Sequence, residues 1–406
     1  MASIRPARIP AASMLLPILL ASALLPGCPL PEPPEDAPVA TVSPRFVRIF
    51  RDPVRESVAD IAMTAGGDLY ITGTHNFDSG TSAAMYVLKL DSAGQRLWRQ
   101  MPGGPGVSEG FAILPEEDGG FVAAGATRSS GAGRFDAYLV KAGPDGEETW
   151  SRTYGGDGYD FAHAMARTAD GGFALAGYTR SFGAGKMDMY LVKTDADGIE
   201  QWSQTYGTDR YESAFSVCAT GDGGYALLGF QGDSEYDYYG APSQIYLVRT
   251  DANGDMLWER TLPSEPYAIG YDLQETAGGA FIIAGDAGYT SFYMKVDAAG
   301  SMMWSRTPRL YRYATDIARI APTRDGGFIM TGAIISDSYE GSYDVFLMKL
   351  NSDGDASWRA RVRTDSDTYG TCVVEGEDGA FTVAGYEEAE AAYGAEDVFV
   401  LRARRP

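Results

Sequence analysis

A closed ring of seven four-stranded antiparallel blades, an all-β propeller, is the fold that this 406-residue sequence predicts. Three observations predict it. One unit of about 50 residues recurs along the chain, so that "DGGFVAAGATRSSGAGRFDAYLVKAGPDGEETWSRTYG" (118–155) returns 52 residues later as "DGGFALAGYTRSFGAGKMDMYLVKTDADGIEQWSQTYG" (170–207). Each unit reads as four short strands with no sustained helical period. The seventh unit lacks a last strand, and the ordered chain begins with a strand that no first unit needs.

The elements follow in order. In the unit of 160–207 the first strand is "FAHAMART", a tight "DGG" turn follows, and "FALAGYT" is the second. A longer Gly/Ser loop leads to "MYLVKTD", and a "DADG" turn leads to "EQWSQTY". Alternating apolar residues with β-branched and aromatic side chains favour strands, and the Asp-Gly turns favour antiparallel hairpins. All six tryptophans, Trp98, Trp150, Trp202, Trp258, Trp304 and Trp358, fall on the fourth strand, spaced 52, 52, 56, 46 and 54. The glycine that ends "AG", "TG" or "LG" on the second strand occurs seven times, at Gly73, Gly125, Gly177, Gly229, Gly285, Gly332 and Gly385. The seventh unit ends "DVFVLRARRP", with three strands and no tryptophan. The lone strand 45–52, "RFVRIFRD", supplies the fourth and closes the ring, which removes both open sheet edges. The tryptophans in register argue for packing between blades, and the second-strand glycines for close approach of strands.

Composition sets the remaining bounds. The chain is globular, with 45% hydrophobic and 12% aromatic residues, and its 50 glycines sit at regular turn positions. The formal net charge of -22 argues against nucleic acid as a partner and for a solvated surface with, at most, cationic partners.

The N-terminus has its own organisation. Arg5 and Arg8 precede an apolar run, "MLLPILLASALL", too short to span a bilayer stably, and then "LPGC", Leu25 to Cys28. This resembles an export signal ending in a bacterial lipobox. The resemblance implies that 1–27 is a signal peptide and that Cys28 carries the lipid. Cleavage there would remove two arginines and no acid, leaving a charge of -24. The stretch "PLPEPPEDAPVATVSP" (29–44) reads as an extended tether, so that 28–44 links lipid to the propeller of 45–406. Pro29, not Asp, follows Cys28, which by the same resemblance places the anchor at the outer membrane, with the domain on the periplasmic or cell-surface side.

The repeat pattern itself, DGG(F/Y) then AGYT, YLVK and W.RTYG, resembles the secreted bacterial and archaeal β-propeller repeats. "KTDADGIEQW" is also similar to the tryptophan-docking motif of quinoprotein propellers. Together these cover 45–406 and imply the fold, while propellers host many unrelated activities. An outer-membrane assembly lipoprotein with a quinoprotein-like propeller shares the anchor and the tryptophan motif, but not the blade count or repeat length.

Chemistry is sparse. Cys218 and Cys372 fall on the first strands of blades four and seven, which are not neighbours, so both are expected as buried free thiols. His163 lies on the first strand of blade three and reads as a core or channel-lining residue; His75 is read as a loop residue of blade one. Two such histidines assemble no Ser-His-Asp set and no zinc spacing. The "DADG" and "NSDG" turns supply too few oxygens for calcium. No metal and no cofactor are expected.

One face stands out. The fourth-to-first and second-to-third loops share one side of the ring and are rich in tyrosine and acid, whereas the other side has only tight turns. Function concentrates on such loops. Where each first strand enters the channel an acid recurs: Glu56, Glu109, Asp160, Glu212, Asp316 and Asp367, with Glu109, Asp316 and Asp367 one place out of register. With Tyr159 and Tyr211 as contact surface, these acids form a candidate ligand-binding funnel for a cation, an amine or a basic peptide. The expected function is a lipid-anchored, non-enzymatic platform for a protein or glycan at the cell envelope. The alternative is a glycan-active or quinoprotein-like enzyme using channel acids.

Overall fold

The computed structural model describes residues 39–404 except 41, 43, 77–81, 104–105, 235–241, 264–266, 289, 309–314, 336–342, 363–365 and 389–395. The expected signal peptide of 1–27, Cys28 and several tyrosine-rich loop stretches therefore lie outside the described residues. Within them, no helix is long and apolar enough to cross a membrane.

Seven antiparallel sheets succeed one another, and each of the first six is one sequence unit of four strands. Blade three shows why. Phe173–Thr179 and Asp188–Thr194 are the middle strands, and their near-continuous apolar sequence is buried on both faces between neighbouring blades. Glu200–Tyr206 is the outer strand, and it starts with exposed polar residues. Asp160–Arg167 is the inner strand. The ring closes as the sequence predicts. Pro44–Phe50 pairs antiparallel with Glu396–Ala403 and completes blade seven beside Phe381–Glu388 and Asp367–Glu375.

The core lies between blades. Apolar clusters fill the junctions, from Tyr70, Val87, Ile113 and Phe121 between blades one and two to Leu69, Leu88, Ala384 and Val400 between blades seven and one. Each fully buried large side chain contributes on the order of 1.5–3 kcal/mol. Both marker positions work at these junctions. A Cβ on Gly177 would stand 2.0 Å from the Phe161 carbonyl oxygen, so the second strand can lie against the first only with glycine there. Five of the six tryptophans, Trp98, Trp150, Trp202, Trp258 and Trp304, pack beneath the Asx turn of the next blade: Gly198, at φ 73°, would drive a Cβ to 2.7 Å from Trp150. Asp195 Oδ1 accepts from the backbone N–H groups of Asp197 at 2.9 Å and Ile199 at 2.8 Å, so the turn itself occupies the oxygen that could have bound calcium.

The seam has a substitute for each missing part. Phe46 pairs with Arg402 in the register where Trp202 pairs with Lys193. Its ring meets the Gly94 turn of blade one, as those five tryptophans meet the turns that follow them. At the other side of blade seven no third-to-fourth turn exists to cover Trp358. Val42 joins the cluster around Trp358 instead, and Val39–Ala40 pairs in parallel with Arg359–Ala360 of blade six. Val39, Ala40, Val42 and Pro44 of the expected tether thus belong to the ring, and the closing strand begins at Pro44. Because Pro44 and Ala403 are paired, the chain enters and leaves on the tight-turn face.

Cys218 and Cys372 are free thiols on the first strands of blades four and seven. Cys372 is buried as expected; Cys218 is only half-buried, since it stands one residue from the end of its strand, beside the turn. Burial pushes both thiols up to about 12.

Candidate ligand-binding face

The ladders fix where each predicted acid falls. Glu56, Asp160 and Glu212 share one register, opposite the last residues of their second strands: Asp160 pairs with Thr179, Glu212 with Gln231, and Glu56 bridges His75. Glu109 and Asp316 lie one place further on and Asp367 one place earlier, as counted in the sequence. Successive strand residues point to opposite sides, so the six do not form one ring.

Four of these acids are too buried to line an open funnel, and the Asp316 side chain lies outside the described residues. Glu56, Glu109, Asp160 and Glu212 are 2%, 9%, 0% and 0% exposed. Their carboxylates hold loops. Asp160 accepts from the Thr179 hydroxyl, from Ser181 Oγ at 2.5 Å and from the Gly156 N–H at 2.9 Å. Glu212 Oε1 accepts from Thr208 Oγ1 at 2.7 Å and Gln231 Nε2 at 2.9 Å. Asp367 accepts from the Tyr343 N–H at 2.8 Å. Glu109 Oε2 and Glu212 Oε2 are buried with no hydrogen-bond partner, and burial pushes the Glu109 carboxyl up to about 7.

Asp52, Glu56 and His75 come close enough to chelate a cation. The space already holds a guanidinium. Arg99 pairs with Asp52 at 2.9 Å and with Glu56, and Glu56 Oε1 lies 2.9 Å from His75 Nδ1. His75 is not a loop residue; it ends the strand Leu69–His75.

His163 lies in the channel wall. The pairing of its strand skips it between Ala162 and Ala164, and the bulge turns its ring out of the ladder. The same skip falls at Phe111 and Phe215 in the flanking blades. Phe111 meets His163 edge-on at 5.1 Å, and Phe215 stacks on it at 5.3 Å. His163 Nδ1 lies 3.1 Å from the Ala214 carbonyl, which can only accept, so Nδ1 carries the proton. Burial holds its imidazole down at about 4.

From this wall an aromatic ribbon climbs to the loop face. Phe161 stacks on Tyr178 at 5.0 Å and on Phe135 at 5.2 Å, and Phe135 stacks on Tyr159 at 6.2 Å. There Phe135, Tyr159, Arg128 and Arg134 line an open cleft of about 310 Å³. Arg134 and Arg180 lie over the Tyr159 ring at 5.4 and 5.8 Å. Tyr211 occupies the equivalent place one blade on, under Lys186 at 4.9 Å. The two predicted tyrosines are thus brought to one face in matched settings. The sequence reading missed the cations beside them, although Arg134 and Lys186 stand at the same point of "GAGRFDAY" and "GAGKMDMY".

No family model matches the chain, and no curated protein sequence matches it. In fold it is similar to YCF48 bound to D1 peptide, with TM-score 0.52 and 9% identity over 91% of this chain and 98% of that one. It is similar to BBS1N in complex with ARL6DN, with TM-score 0.51 and 10% identity over 89% and 97%. Puromycin hydrolase matches with TM-score 0.52 and 13% identity over 86% of this chain and 53% of the hydrolase. At these identities the likeness is one of fold.

Proposed function

We propose that the protein is a non-enzymatic binding platform of the cell envelope. Residues 1–27 export it, a lipid on Cys28 holds it at the outer membrane, and its loop face captures a protein or glycan partner. The observation that carries this reading is the opposition of two faces. The chain enters the ring on the tight-turn face, through Val42 and Pro44. The cleft of Arg134, Phe135 and Tyr159 opens on the other face, away from the anchor. That the YCF48 and BBS1N propellers each appear with a partner fits the same use of the fold. The buried acids act behind the surface, as braces for loops, while Tyr159 and Tyr211 make contact.

The test uses the full chain in cells. Cys28→Ala should move the protein from the membrane pellet to the soluble fraction. Partner capture from solubilised envelope should be lost in Tyr159→Ser with Tyr211→Ser. It should persist in Leu97→Ser with Met303→Ser, which alters exposed apolar residues of the outer strands. Capture that survives the tyrosine changes would overturn the assignment of the loop face.

A further inference from the structure

One arrangement on the loop face occurs twice, 52 residues apart. At the junction of blades two and three, the Arg134 N–H donates to the Gly158 carbonyl at 2.9 Å, and Phe135 forms a parallel bridge with Tyr159. The Arg134 side chain then folds over Tyr159, with Nη1 donating to the phenol oxygen at 3.4 Å. At the junction of blades three and four, the Lys186 N–H donates to the Arg210 carbonyl at 3.3 Å, Met187 bridges Tyr211, and Lys186 Nζ covers that ring.

Both loops are locked from behind. Asp136 Oδ2 accepts from the Gly133 N–H and Asp188 Oδ2 from the Gly185 N–H, each at 3.1 Å. A Cβ on Gly133 would meet the Gly156 carbonyl at 2.2 Å, and one on Gly185 the Thr208 carbonyl at 2.1 Å. The cations are therefore presented by fixed loops. Arg128 and Arg180 flank the first module, and Arg210, paired with Asp233 at 2.8 Å, flanks the second.

In a chain of net charge -22 the two modules present exposed cations, although Asp157 and Asp209 stand beside them, and they point to an anionic ligand where the sequence led to the expectation of a cationic one. We propose that the two modules bind an acidic polysaccharide laid across blades two to four, with one sugar carboxylate to each module. The inference deepens the platform reading and rests on it. Charge complementarity selects an anion. An open cleft at one module, with a second module of the same layout one blade on, suits a polymer running over the surface, because a small enclosed ligand would need neither. Equal repetition of cation and phenol suits a ligand that is itself periodic, and binding at both modules multiplies the affinity of each. The phenol edges present apolar ring surface beside a hydroxyl, the pairing that a pyranose offers in return.

Polygalacturonate is the probe, titrated calorimetrically into the protein in about 0.15 M salt. Neutral dextran and poly-glutamate are the comparisons. Polygalacturonate should bind and dextran should not. Arg134→Gln and Lys186→Gln should each weaken binding roughly tenfold, and together reduce it to the dextran level. Arg324→Gln, an exposed cation on the turn face, should leave it unchanged. Thermal melts of the variants should match the parent, since neither side chain is buried. Absence of polygalacturonate binding, indifference to the double change, or equal binding of poly-glutamate would each overturn the inference. If envelope capture remains tyrosine-dependent while polygalacturonate fails, the ligand class falls and the platform stands.

Discussion

Glu109 is the predicted funnel acid whose chemistry departs furthest from that of a solvent-facing carboxylate. Its carboxyl is buried, one oxygen has no partner, and its pKa is pushed up from 4.5 to about 7. The folded state therefore prefers the protonated form. The stability this lends is complete below the unfolded value near 4.5 and is lost as pH rises through about 7. Denaturant melts should lose on the order of 3 kcal/mol across that window, and Glu109→Gln should flatten the slope. Asp160 is the opposite case, an acid with donors on both oxygens. Asp160→Asn should cost about 1–3 kcal/mol, because at least one donor loses its acceptor, and should loosen the loop that carries Ser181. The recurrence of the acids was legible in the sequence. Their direction was not, because a one-place offset on a strand reverses the side on which a residue lies, and the bulges at Phe111, His163 and Phe215 shift that count within the strand.

At the scale of elements, the repeat told nearly everything about strands, since turn glycines and tryptophans punctuate each unit at the same points. It also located the seam, because seven glycine markers stood against six tryptophans. It could not show what replaces the seventh. Phe46 takes that place against the Gly94 turn. Phe46→Ala should cost about 1–3 kcal/mol, a partly exposed position falling below the usual range for a core phenylalanine. Phe46→Trp should match or exceed the parent in thermal melts, as the register and the strand-three cation are those of a tryptophan site. The role of Val39–Ala40 was hidden by composition. A proline-rich stretch gives no strand signal, and those two residues pair only because blade six offers them a free outer edge.

The whole molecule is tied across its centre as well as around its rim. Arg319, on the first strand of blade six, reaches Asp60 and the Ala59 carbonyl of blade one at 3.1 Å, and approaches Asp272 of blade five at 3.9 Å. Asp60 in turn accepts from the Ile113 N–H of blade two, and Asp272 from Ser216 of blade four and Ile320 of blade six. Burial raises both carboxyls and Arg319 offsets the rise. Arg319→Met should destabilise the ring by about 3 kcal/mol, with the loss greatest at high pH, where both carboxylates are charged, and smaller as acid protonates them. Adding Asp60→Asn and Asp272→Asn should restore most of it. No sequence count could find this knot, since its members lie 212 and 47 residues apart and meet only because the ring brings inner strands together. The seam, finally, gives the ring a mechanical polarity. Pro44 and Ala403 sit side by side at the same edge. A pull between the two chain ends would open that pair like a zipper, one hydrogen bond at a time. A pull between residue 39 and a load gripped on the loop face would instead run along the strand Pro44–Phe50 and shear all its bonds at once. Single-molecule stretching in the two geometries should give a low rupture force for the first and a several-fold higher one for the second, so that the joint yields to its own ends and holds against a load on the loop face.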